Sequence, residues 1–249
     1  MPVGNLTGWT QVFTDDFTTN LPLGGFSGCD AYWKQCSGLP ADVRAKWFAY
    51  PDNWKDSVVG TYMPSKVMSI QNGLMNLYLH TENGVHMVSA PEPLIPGGTG
   101  SEGGLLYGRY AIRFRADQLP GYKTAFQLWP DSETFPRDGE IDFPEGDLGG
   151  TQYSTMYGFV HHQGATSGSD QDWFGSGVPY GAWHTAVIEW RPASVTFILD
   201  GRTIGTSTTR IPNTPMHWIL QTPTTDSTSV SDSTAGNLQI DWVAVWKPA

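Results

Sequence analysis

The sequence predicts an all-β sandwich, on three observations. Polarity alternates with a period of two through most of the apolar segments. No segment keeps helical spacing beyond a turn or two. The 29 glycines and 18 prolines in 249 residues supply the tight turns that many short strands need. This length is ordinary for one large sandwich. No repeat, heptad pattern or composition shift marks a boundary, so residues 1–249 read as a single domain.

Taken in chain order, the first distinctive element is a glycine-rich loop carrying the only two cysteines, Cys29 and Cys36. Six intervening residues suit a local disulfide better than a four-ligand metal site, with two free thiols as the alternative. A bridge would imply an oxidising, extracellular compartment. Next, PEPLIPGGTGSEGG (91–104) is too rich in Pro and Gly to add to a core and reads as an excursion. YGRYAIRFRA then sets Tyr110, Ile112 and Phe114 on one face of a strand and Ala111, Arg113 and Arg115 on the other. WHTAVIEW and VTFILDG repeat the habit, the second closing on the hairpin dipeptide Asp200-Gly201. After a second polar loop (222–237), LQIDWVAVWK ends the chain as a strand.

Composition excludes several functions. Acids outnumber Lys and Arg by 24 to 14, giving a formal charge of -10, so a nucleic-acid backbone would be repelled. No apolar run approaches the roughly 18 residues of a membrane span. The first residues lack a charged segment followed by an apolar one, so a secreted protein would have lost its signal peptide already. Nothing in the pattern argues for more than a monomer. The 11 tryptophans leave flat side chains available for stacking.

The stretch GEIDFPEGD (139–147) concentrates four carboxylates on what otherwise reads as a buried strand. Alternation places Glu140 and Asp142 on one face, opposite Ile141 and Phe143, and would send Glu145 to the wrong side. One extra residue, a β-bulge, restores its direction, and Pro144 suits that position because it has no N–H to lose from the ladder. Three carboxylates then share a face. Two carboxyls about 5–5.5 Å apart are the geometry of a retaining glycosidase, one a nucleophile and the other a general acid and then base. Spacing alone also allows a solvated acidic face or a calcium site.

The flanks carry the reading further. GEIDFPE resembles the signature of glycoside hydrolase family 16, E-[IL]-D-x-x-E, in its bulged, laminarinase-like form. VFTDDF (12–17), NGLMNLYL (72–79), YGRYAIRFR, WHTAVIEW with FILDG, and LQIDWVAVWK resemble other family segments in the same order. The resemblance implies a β-jelly-roll sandwich of two curved antiparallel sheets with an open concave cleft. It implies retaining, endo-acting cleavage of a β-linked polysaccharide, with β-1,3- or mixed β-1,3/1,4-glucan first, and no required cofactor. By position, Glu140 would be the nucleophile, Glu145 the acid/base and Asp142 the assisting acid.

The resemblance also implies that Arg113 contacts substrate hydroxyls, with a structural salt bridge as the alternative, and that His161 sits near Glu145 while His162 points away. Departures touch the substrate walls. Gln127 stands where many members carry a cleft tryptophan; Trp129 on the same face replaces that platform or closes the core edge. Phe135 replaces a tryptophan, and Gln221 an asparagine. Trp183 flanks the cleft or lies in the core, and His184 is structural. A structural Ca²⁺ site is implied at the carbonyls of Asp16 and Gly73 and the carboxylate of Asp241. The alternatives are a non-catalytic carbohydrate-binding module and a family member that acts on a galactan or transfers to sugar instead of water.

Overall fold

The computed structural model describes residues 1–149, 155–226 and 229–249; residues 227 and 228 of the second polar loop lie outside it. Two sheets face one another. The outer sheet has ten strands, centred on Gly108–Ala116, which pairs antiparallel with His184–Arg191 on one side and with Gly236–Pro248 on the other. The inner sheet has five, in the spatial order Gln171–Pro179, Thr155–His161, Glu140–Asp147, Lys123–Pro130, Met216–Gln221. Among the described residues, strand pairing is antiparallel apart from the two-residue strand Thr61–Tyr62, which runs parallel to Val85–Val88.

Alternation explains why the sheets stack. Ile112 and Phe114 of the outer sheet meet Phe126, Leu128, Ile141, Phe143 and Val160 of the inner one in a single core. Gly158 is forced by that contact: a Cβ there would stand 2.5 Å from the Phe197 ring of the outer sheet. The far face of the outer sheet carries a smaller apolar cluster of Trp9, Ala111, Val187, Trp242, Ala244 and Trp246. Arg191 lies over the Trp9 ring at 4.1 Å, an arrangement in which the guanidinium covers the ring and stays hydrated.

Cys29 and Cys36 are bridged, closing a small hairpin. Its Lys34 reaches back to Glu92 at 2.5 Å, which ties the hairpin to the body of the domain. Among the described residues no helix is long and apolar enough to cross a membrane.

Candidate active site

The inner sheet has one face on the core and the other on a groove. Its middle strand, Glu140–Asp147, carries the acids. Asp142 pairs with Gln127 and Glu145 with Ala125, so three steps on the acidic strand match two on its neighbour. The other neighbour agrees: Phe159 faces Asp142 and Tyr157 faces Glu145. The extra residue falls at Phe143–Pro144, and the bulge turns Glu145 back to the face of Glu140 and Asp142.

These acids differ in surroundings. Asp142 is 2 % exposed and Glu140 8 %. Burial, and then the negative charge of Glu145, pushes the Glu140 carboxyl up to about 8. Burial, followed by the charges of Glu140 and Glu145, holds Asp142 well above the usual carboxylate range. The two carboxyls are thus both held above the ordinary range, and the folded state keeps a proton on the pair.

Glu145 has a different partner. Lys123 Nζ lies 2.8 Å from its Oε1, and both side chains are less than a third exposed. Burial works against the Lys123 charge, yet the surrounding carboxylates, Glu145 foremost, hold its ammonium above the ordinary lysine range. Sequence reasoning missed Lys123. The signal was present, since Lys123, Ala125, Gln127 and Trp129 alternate on one face, but its partner lies on another strand.

His161 faces Glu140 across the ladder. Its Nδ1 lies 2.8 Å from the carbonyl of Gly168, which can only accept, so the ring proton is on Nδ1. Its Nε2 is then a lone pair, 3.6 Å from Asp142 Oδ2 and 3.8 Å from Glu140 Oε2. Burial holds this imidazole below the ordinary range and keeps it neutral. His162 points away and bonds Asp170 at 2.8 Å.

The groove walls come from both flanks. Beside Glu140, Trp129 stacks on Phe135 at 5.4 Å, and Phe135 meets His161 edge-on at 5.2 Å. Trp129 Nε1 donates to Glu133, so the ring is fixed and half-buried at the groove. Gln127 lies against Asp142, and the Gln221 amide donates to the Tyr62 hydroxyl. Beside Glu145, a cavity of about 600 Å³ is lined by Lys123, Glu145, Tyr157, Phe159 and Trp173. Tyr157 and Phe159 stack at 6.1 Å, and Trp173 is 61 % exposed. Gly175 makes room for this wall, since a Cβ there would stand 2.9 Å from the Tyr157 ring. These three aromatics were also missed; Tyr157 and Phe159 alternate with His161 in the sequence, whereas Trp173 is brought in only by the strand order.

Arg113 requires a correction. Alternation put it on a polar face, but its strand belongs to the outer sheet, whose polar face is the outside of the molecule and not the groove. There it forms an ion pair with Asp241 and lies over the Trp183 ring at 4.8 Å. Trp183 therefore flanks no cleft. His184 bonds Asp200 at 2.7 Å. Asp16 and Gly73 do adjoin, a Cβ on Gly73 falling 3.9 Å from the Asp16 carbonyl. Asp241, however, the one carboxylate of the set, is held in an ion pair by Arg113, whose positive charge would repel a cation bound there. On this geometry the donor set does not fit the ion.

Comparison with known proteins bears on this arrangement. The chain is similar to an endo-β-1,3-glucanase from Pyrococcus furiosus (17 % identity, 100 % of this chain and 99 % of that one, TM-score 0.72). It is similar to a laminarinase from Rhodothermus marinus (19 %, 97 % and 98 %, TM-score 0.73). It is also similar to an immunostimulatory antigen and pseudo β-1,3-glucanase of Mycobacterium tuberculosis (20 %, 96 % and 99 %, TM-score 0.68). At such identities the likeness shows the fold. No curated protein matches by sequence. The model of the glycosyl hydrolases family 16 matches residues 55–244, which include the acidic strand and both of its neighbours, and the chain belongs to that family.

Proposed function

We propose that the protein is a retaining endo-β-glucanase acting on β-1,3- or mixed β-1,3/1,4-glucan. The observation that carries the reading is the bulge after Asp142, which sets Glu140, Asp142 and Glu145 on the groove face of one strand. A shared fold does not suffice, since one similar structure is described as a pseudo β-1,3-glucanase.

In the first half-reaction ionised Glu140 attacks the anomeric carbon and Glu145 gives a proton to the departing glycosidic oxygen. Neutral Asp142 donates to Glu140 and fixes its orientation. In the second, Glu145 takes a proton from water, whose oxygen attacks the anomeric carbon and releases Glu140. The sugar chain lies between Trp129–Phe135 on one side and Tyr157, Phe159 and Trp173 on the other, where ring faces stack on sugar C–H groups. The Cys29–Cys36 bridge supports secretion into an oxidising compartment.

The test is product analysis on laminarin, lichenan, xyloglucan and agarose side by side. Laminarin or lichenan should yield β-configured oligosaccharides. Glu140→Gln should abolish turnover; Glu145→Ala should lose about 10²–10⁴-fold and recover in part with azide, giving a β-glycosyl azide. No reducing ends from any polymer, or full activity in Glu140→Gln, would refute the reading.

A further inference from the structure

Glu140, Asp142 and His161 present three donor atoms within 4.8 Å of one another. Two features of the cluster point to a cation. Asp142 Oδ2 is buried without a hydrogen-bond partner. The His161 lone pair is aimed at the same place, because its other nitrogen is committed to the Gly168 carbonyl. A metal-bound imidazole characteristically donates its second nitrogen to a carbonyl or carboxylate in this way.

The geometry points to a site for a divalent cation of the zinc type, held by His161 Nε2, Asp142 Oδ2 and Glu140 Oε2, with its fourth position open to the groove; binding displaces into solvent the proton that the carboxyl pair otherwise holds. A tetrahedral ion with bonds of about 2.0–2.2 Å sets its ligands roughly 3.3–3.6 Å apart. The observed separations from Nε2 are 3.6 Å to Asp142 and 3.8 Å to Glu140, close to that spacing, and the three donor atoms lie within 4.8 Å of one another, so the two carboxylates draw together by at most about an ångström to close the site. One imidazole and two carboxylates favour zinc and its neighbours over calcium or magnesium, which take oxygen shells. The ion would engage the carboxylate assigned above as nucleophile. On the reading of the groove as a glucan cleft, metal and glycan therefore compete.

The test titrates zinc chloride, and separately calcium chloride, into chelator-stripped protein by calorimetry. One zinc per chain at micromolar affinity or tighter is expected, with no calcium heat at the same concentrations. His161→Gln should weaken zinc binding at least about 10-fold, and Glu140→Gln, which keeps the side-chain shape, should weaken it too. Zinc-soaked crystals should show an anomalous peak bonded to the three atoms. Absence of zinc binding, affinity unchanged in both variants, or a peak elsewhere, for example beside His162 and Asp170, would overturn the assignment. Direct binding does not depend on turnover. A chain that binds zinc but cleaves no glucan keeps this site and loses the glucanase reading, and the reverse result loses only the site.

Discussion

The Glu140 carboxyl should destabilise the folded chain at neutral and alkaline pH, and removing its charge should therefore stabilise it. In the fold the group is pushed up to about 8 from an ordinary value of 4.5, mainly by burial and then by the charge of Glu145. Between those two values the folded state holds a proton that the unfolded chain has released. Stability is thus fully present below about pH 4.5 and is lost as pH rises toward 8. The gap corresponds to a ceiling of roughly 5 kcal/mol, reached above pH 8. Glu140→Gln keeps the shape and cannot ionise. Melting curves of both proteins from about pH 4 to pH 9 are the assay. For a chain of this size each kcal/mol moves the midpoint by about 2 °C, so the variant should melt with the parent at pH 4 and up to about 10 °C above it at pH 9. A difference that does not grow with pH, or a variant less stable throughout, would refute the assignment of a buried, charge-repelled carboxyl at this position.

Three further outcomes follow from the same geometry. Lys123→Met removes the charged donor 2.8 Å from Glu145; kcat for laminarin should fall roughly 10-fold through loss of a charge-assisted hydrogen bond worth about 1.5 kcal/mol, and Lys123→Arg should retain most of it. Trp173→Ala, at a side chain 61 % exposed, should raise KM for long oligosaccharides about 3–10-fold through lost stacking, with kcat and melting temperature nearly unchanged. The double substitution Cys29→Ser, Cys36→Ser opens a loop of sequence separation 7 and should cost roughly 2–3 kcal/mol by loop closure, read by urea unfolding.

The strands and the bulge were legible because each is written in consecutive residues. Ile141 and Phe143 alternate with Glu140 and Asp142, and the three-residue step from Asp142 to Glu145 signals an extra residue at Pro144 before any register is known. What sequence could not supply is which sheet a strand joins. Arg113 shows the consequence: its alternation was right, yet its strand lies in the outer sheet, and the polar face there looks away from the groove toward Asp241. Lys123 and Trp173 failed for the complementary reason. Each becomes part of the site through a neighbour on another strand, Glu145 for the first and Phe159 for the second.

The two glutamates sit on one strand but in opposite electrostatic settings, and that difference bears on which half-reaction is slower. Glu140 is crowded by carboxyls and desolvated, so its charge is costly until substrate carbon takes it up. Ester formation removes that charge, and with it the repulsion exerted on Glu145. Lys123 Nζ donates to Glu145 Oε1 at 2.8 Å, and the proton that the glycosidic oxygen needs in the first step must come from that same carboxyl. On the proposed mechanism, cleavage of poor leaving groups such as another glucose unit is limited by glycosylation. Activated aryl leaving groups, which need no proton, should escape that limit and lose little activity when Glu145 is replaced.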